Sequence, residues 1–191
     1  MTEHGSAGTD SNLTTPPLEG GPENCPVPDV TWTQAAIDNI PYAAMLVLGA
    51  AIFLQAVGGG AAGWLLAAAY VFYGLAGTLW IMLFVCPYCH FYATRRCPCG
   101  YGVAAAKLRK RQDGDHFARQ FRRHIPAIVP LWFLPLIGAG ITLFRGPTWL
   151  IGVLTLVFAL NAFAILPLVS RMYGCKSCPQ KADCPWMGGC K

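Results

Sequence analysis

Four predominantly apolar runs set the plan of this chain: 41–57, 61–85, 125–144 and 147–170, none of which contains Asp, Glu, Lys, Arg or His. Each is near the roughly 20 residues that a helix rising about 1.5 Å per residue needs to cross a hydrocarbon core. The pattern therefore predicts four transmembrane helices. The first run is the shortest and ends at Gly58-Gly59-Gly60, and the last two meet at Arg145-Gly146-Pro147. Both connections are too short for a site of their own, and Trp64 and Trp149 beside them suit an aromatic belt. The fold class expected is an all-α integral membrane protein, with two transmembrane hairpins, 41–85 and 125–170, packed as a four-helix bundle. Glycines such as Gly49, Gly74 and Gly138 permit close backbone approach.

Composition agrees with this reading: 54% of the 191 residues are hydrophobic, 12% are charged and the mean hydropathy is +0.43, whereas about a quarter of residues are charged in soluble domains. Residues 1–23 are polar and small, with neither the basic start nor the apolar core of a secretory signal. They are expected to form a disordered tail. Residues 24–40 gain Val27, Val30, Trp32 and Ile37, enough for an interfacial segment leading into the first span.

Charge sets the expected orientation. Of the 14 Lys and Arg, nine (Arg95, Arg96, Lys107, Arg109, Lys110, Arg111, Arg119, Arg122 and Arg123) lie between the second and third runs, four follow the last, and only Arg145 sits in a connection of the opposite side. Short loops rich in Lys and Arg stay cytoplasmic. Both termini and the loop 86–124 are then cytoplasmic, and any site is on that face.

The cysteines fall on that face as well. "VCPYCHFYATRRCPCG" follows the second run and "GCKSCPQKADCPWMGGC" follows the fourth, each opening with C-x-x-C as its helix leaves the bilayer. Two candidate ligand sets follow, Cys86/Cys89/Cys97/Cys99 in the loop and Cys175/Cys178/Cys184/Cys190 in the tail 171–191, with Cys25 left over and able to replace a member of either. Cytosolic thiols are kept reduced, so structural disulfides are disfavoured. Grouped thiolates need positive charge, which a metal supplies. Structural zinc usually takes two C-x(2–4)-C knuckles. Cys97-Pro98-Cys99 is a poor knuckle for a single ion, while iron-sulfur clusters tolerate freer spacing and often carry a Pro beside a ligand. The expectation is two iron-sulfur clusters of the [4Fe-4S] kind, with zinc as the alternative metal. Cys86 to His90 also matches the short C-x-x-C-H haem attachment pattern, which the cytoplasmic placement opposes.

The runs exclude several functions. No histidine lies within them to ligate a transmembrane haem. Only Gln55, Asn161 and a few hydroxyls are polar at depth, which disfavours an ion or proton pump acting alone. An electron partner in the bilayer would be quinone, with His124 and Trp132 as candidate contacts and Trp80, Phe84 and Tyr173 around them. His124 also reads as part of a basic anchor, Arg122-Arg123-His124. The stretch 103–124 has helix-forming composition broken at Asp113-Gly114-Asp115 and suits anionic lipid headgroups or an acidic soluble subunit. No nucleic-acid-binding fold is present. The layout is loosely similar to membrane electron-transfer subunits with cysteine motifs at the cytoplasmic ends of four spans, and no residue assignment rests on that likeness.

The functional expectation is a membrane-integral electron-transfer subunit, non-catalytic or quinone-reactive, that relays electrons between a soluble redox partner and quinone. Two rivals remain: a zinc-binding membrane anchor that recruits a cytosolic complex, and a quinone-coupled thiol oxidoreductase.

Overall fold

The computed structural model describes residues 29–146 and 148–175, the last three without side-chain detail. The chain is all helical over these residues. Four helical stretches are long and apolar enough to cross a membrane, Trp32–Ala56, Ala61–Tyr88, Gly114–Arg145 and Trp149–Met172, and the protein is an integral membrane protein. The tail 1–23 and most of 171–191, with Cys25, Cys178, Cys184 and Cys190, lie outside the described residues.

Helix α1 (Trp32–Ala56) starts nine residues before the apolar run, so residues 32–40 of the expected interfacial segment are its first turns. The reason is local. Thr31 caps the helix through a reciprocal pair, with the Gln34 N–H donating to Thr31 Oγ1 at 3.3 Å and the Thr31 N–H donating to Gln34 Oε1 at 2.9 Å. The 25 residues span roughly 37 Å at about 1.5 Å each. A tight turn with Gly58 and Gly59 at positive φ leads into α2 (Ala61–Phe84). The loop then forms two short helices, α3 (Tyr101–Leu108) and α4 (Phe117–His124), separated at Asp113-Gly114-Asp115 as composition predicts. The third crossing is α5 (Pro130–Arg145). The fourth is α6 (Trp149–Leu160), a π segment at Asn161–Ile165, α7 (Leu166–Val169) and a second π segment that runs to Cys175, past the end of the apolar run.

Helix α1 is central and packs on α2, α5 and α6. Met45, Ile52, Leu131, Ala139 and Phe158 are fully buried in the shared core. Large apolar side chains on the other faces, such as Phe72, Ile137 and Leu156, are exposed. In lipid that exposure has no cost, and equally no hydrophobic drive pulls the helices together; close packing and interhelical hydrogen bonds must do so.

Both are present. A Cβ on Gly49 would overlap the Tyr70 ring, so only glycine lets α1 and α2 meet there. The Tyr70 hydroxyl then donates to Leu131 O at 2.9 Å, the carbonyl that loses its usual partner because Pro135, four residues on, has no N–H. Tyr42 donates to Gly74 O at 2.8 Å, and Tyr73 to Ala127 O. At depth, the buried Asn161 donates to Pro41 O at 2.8 Å, and Trp132 Nε1 donates to Ala162 O at 3.2 Å, inside the π segment.

The Asn161–Pro41 bond also fixes the level of the chain ends. At about 1.5 Å per residue, α1 runs roughly 13 Å back to Trp32 and the last helix roughly 20 Å on to Cys175. Both arrive at the end of the bundle that carries the loop 86–124, and the terminal π segment still packs on α1.

Candidate metal centre at the loop end of the bundle

Pro87 ends the second span. The Cys86–Tyr88 stretch tightens to a 3-10 turn, with the Cys89 N–H donating to Cys86 O at 3.0 Å. Without an N–H at Pro87, Leu83 O is released from the helix ladder, and Arg109 Nη1 takes it at 3.0 Å. The turn rests on a buried floor of Val85, Pro87, Phe91 and Tyr92. The chain reverses at Ala93, whose φ of 61° is costly for a residue with a side chain, and the Ala93 N–H donates to Gly102 O at 3.1 Å.

The second cysteine pair opens α3. Gly100 adopts φ 74°, a conformation glycine takes at no steric cost, and the Gly100 N–H closes a turn onto Cys97 O at 3.0 Å. Gly102 passes so near Phe91 O that a Cβ would collide with that carbonyl. The result is a cradle in which the backbone N–H groups of Gly102, Cys99, Tyr101 and Gly100 are directed at the Cys97 sulfur. Burial pushes the Cys97 thiol up, and these four donors pull the other way, burial being the larger effect. Cys86 and Cys97 are half-buried and close enough for charge on one sulfur to act on the other. The Tyr101 hydroxyl feels Cys99, Cys86 and Cys97.

Helix α1 holds the loop from the other side. Val30 N–H donates to Arg95 O at 3.0 Å, Arg96 pairs with Asp29 at 3.5 Å, Asn39 Nδ2 donates to Cys99 O at 3.0 Å, and Asn39 Oδ1 accepts from the Tyr101 hydroxyl at 2.6 Å. The sequence reading missed Asn39, Tyr101 and Arg109. Gly100 was the available signal for a helix start at Tyr101, whereas nothing local pairs Asn39 with a loop 60 residues away.

No family model, curated protein or solved structure matches the chain.

Of the first predicted ligand set, Cys86 and Cys97 come together. Among the described residues, no three His, Cys, Asp or Glu side chains are gathered closely enough to hold a metal ion, so Cys89 and Cys99 do not complete a cage with that pair. Of the second set, Cys175 ends the last helix at the same end of the bundle, and Cys178, Cys184 and Cys190 lie outside the described residues. Cys86 and Cys97 are half-buried and close enough for charge on one sulfur to act on the other, and Cys97 has backbone N–H donors of the kind that tune thiolate sites. The charged form of His90 is disfavoured by burial first, then by Arg111 and Arg96.

The two predicted quinone contacts are placed differently. His124 stacks on Phe84 with ring centroids 5.0 Å apart and meets Trp80 edge-on at 5.8 Å. Arg109 sits over the Phe84 ring, 5.5 Å from its centroid. Trp132, in contrast, commits its indole N–H to Ala162 O and ties α5 to the last helix.

Proposed function

We propose that this chain is a membrane-integral electron-transfer subunit whose loop-end cysteines hold iron-sulfur clusters on the cytoplasmic face. The nearness of Cys86 to Cys97, from opposite ends of a twelve-residue loop, together with the backbone N–H groups around the Cys97 sulfur, supports the reading. A cluster held by four thiolates supplies a one-electron carrier. In this reading Cys86, Cys89, Cys97 and Cys99 form one ligand set and Cys175, Cys178, Cys184 and Cys190 the other, so Cys89 and Cys99 turn toward the pair when metal is taken up. The four N–H groups stabilise charge on the Cys97 sulfur, and Arg95, Arg96 and Arg109 offset the negative charge of a thiolate set. Cys99 is exposed, and in this reading a soluble redox partner would dock beside it. The Trp80–Phe84–His124 group, on the membrane side of the same loop, is where a quinone headgroup would receive a hydrogen bond from His124.

Metal content tests this directly. Full-length protein purified without oxygen is expected to be brown and to carry about eight irons, four per cluster. Colourless protein with two zincs overturns the proposal in favour of a zinc-binding anchor that recruits a cytosolic complex.

One observation favours a second reading. Two half-buried thiols close enough for charge on one to act on the other are also what a dithiol/disulfide couple requires. Oxidation of the Cys86 and Cys97 thiols to a disulfide would release two electrons and two protons, which reduce quinone to quinol. Metal-free protein in which peptide mapping finds a Cys86–Cys97 disulfide after quinone addition would select this reading.

A further inference from the structure

Phe84, the last residue of α2, is contacted by two basic segments that are distant in sequence. Arg109 bonds Leu83 O and lies over the Phe84 ring, and His124 stacks on the same ring. These contacts bring the stretch ending α3 and the helix α4 to the same level, the point where the second span ends and the third begins. Helix α4 is strongly two-sided. Phe117, Phe121 and His124 share one face, with the two phenylalanine rings 5.8 Å apart and half-buried. Arg119, Arg122 and Arg123 fall within an arc of about 100° on the opposite face, by the 3.6-residue turn, and all are exposed. Lys110 and Arg111 are exposed on the other segment.

Among the described residues, none of these five cations forms an ion pair: the pairs present are Arg96–Asp29 and His116–Asp113. Asp113 and Asp115 are the only acids between the second and third spans. Among the described residues this positive charge is not offset by an ion pair, and it lies one turn from the apolar run that starts at Ile125. From this juxtaposition we infer that the two basic segments around Phe84 form a docking surface for anionic phospholipid headgroups, with the guanidinium groups of α4 binding the phosphodiester and Phe117 and Phe121 keeping the helix flat against the bundle. Arginine suits this role because its planar donors match phosphate oxygens in pairs. The surface is independent of what the cysteines hold.

Titration of delipidated full-length protein in neutral detergent, followed by native mass spectrometry, tests the inference. Phosphatidylglycerol is expected to bind at least tenfold more tightly than phosphatidylcholine of the same chains. At roughly fivefold per surface cation, the R119Q/R122Q/R123Q variant should lose the preference, R119K/R122K/R123K should retain most of it, and K110Q/R111Q on the other segment should weaken it by an intermediate amount. Equal affinity for the two lipids, or a preference that survives both glutamine variants, overturns the inference. So does displacement of bound phosphatidylglycerol by soluble polyglutamate at micromolar concentration, which would make the surface a site for an acidic protein.

Discussion

Pro87 and Pro135 each lack a backbone N–H, and each leaves a carbonyl four residues back for another group to satisfy. Arg109 takes Leu83 O, and Tyr70 takes Leu131 O. The sequence identifies the released carbonyl, because the rule is local. It does not identify the donor, which comes from 26 residues away in one case and 61 in the other. In a bilayer no water reaches Leu131 O, so the Tyr70→Phe variant is expected to lower stability by about 1 kcal/mol, within the range measured for interhelical hydrogen bonds in membranes. Unfolding of the detergent-solubilised protein with increasing SDS measures it, and an unchanged midpoint would show that Leu131 O does not depend on Tyr70.

The cysteine loop behaves as one element. Its shape depends on Gly102 passing Phe91 O, on Gly100 in the left-handed conformation, and on Asn39 reaching across from α1. Burial is the larger influence on Cys97 and raises its pKa, so its reactive thiolate forms only above the usual thiol range. Iodoacetamide should therefore modify Cys97 slowly at neutral pH in metal-free protein, and faster as pH rises. Gly102→Ala forces the loop open against a backbone carbonyl and is expected to speed Cys97 alkylation several-fold at neutral pH, with exposed Cys99 little changed. Peptide mass mapping over time gives both rates, and equal Cys97 rates in the two proteins would contradict the cradle. Their place beside the C-x-x-C pair Cys86/Cys89 made these cysteines candidates from sequence. The cradle itself was not legible there, since four N–H groups converge on one sulfur only after Gly100 and Gly102 have turned the chain.

At the scale of the whole molecule, an even number of crossings puts the loop 86–124 and the end of the last helix on one side. In the proposed orientation that side is cytoplasmic, because the loop and the stretch after the fourth run carry the excess of Lys and Arg. A membrane-impermeant maleimide is expected to label Cys99 in inside-out vesicles and not in sealed right-side-out ones. The reverse result would invert the topology and bring back the C-P-Y-C-H haem pattern.

The sequence by itself determined the four crossings, the break at Asp113-Gly114-Asp115 and the clustering of thiols at helix ends. Each follows from short-range rules: apolar length against bilayer thickness, turn-forming composition, and spacing along a few residues. Tertiary structure decided that α1 begins at Trp32 and occupies the centre, that Cys86 lies near Cys97, that His124 rather than Trp132 joins the aromatic group beside the loop, and that two basic segments both reach Phe84. Those outcomes depend on which donors and rings are left over when helices distant in the chain pack together, and no local pattern records them.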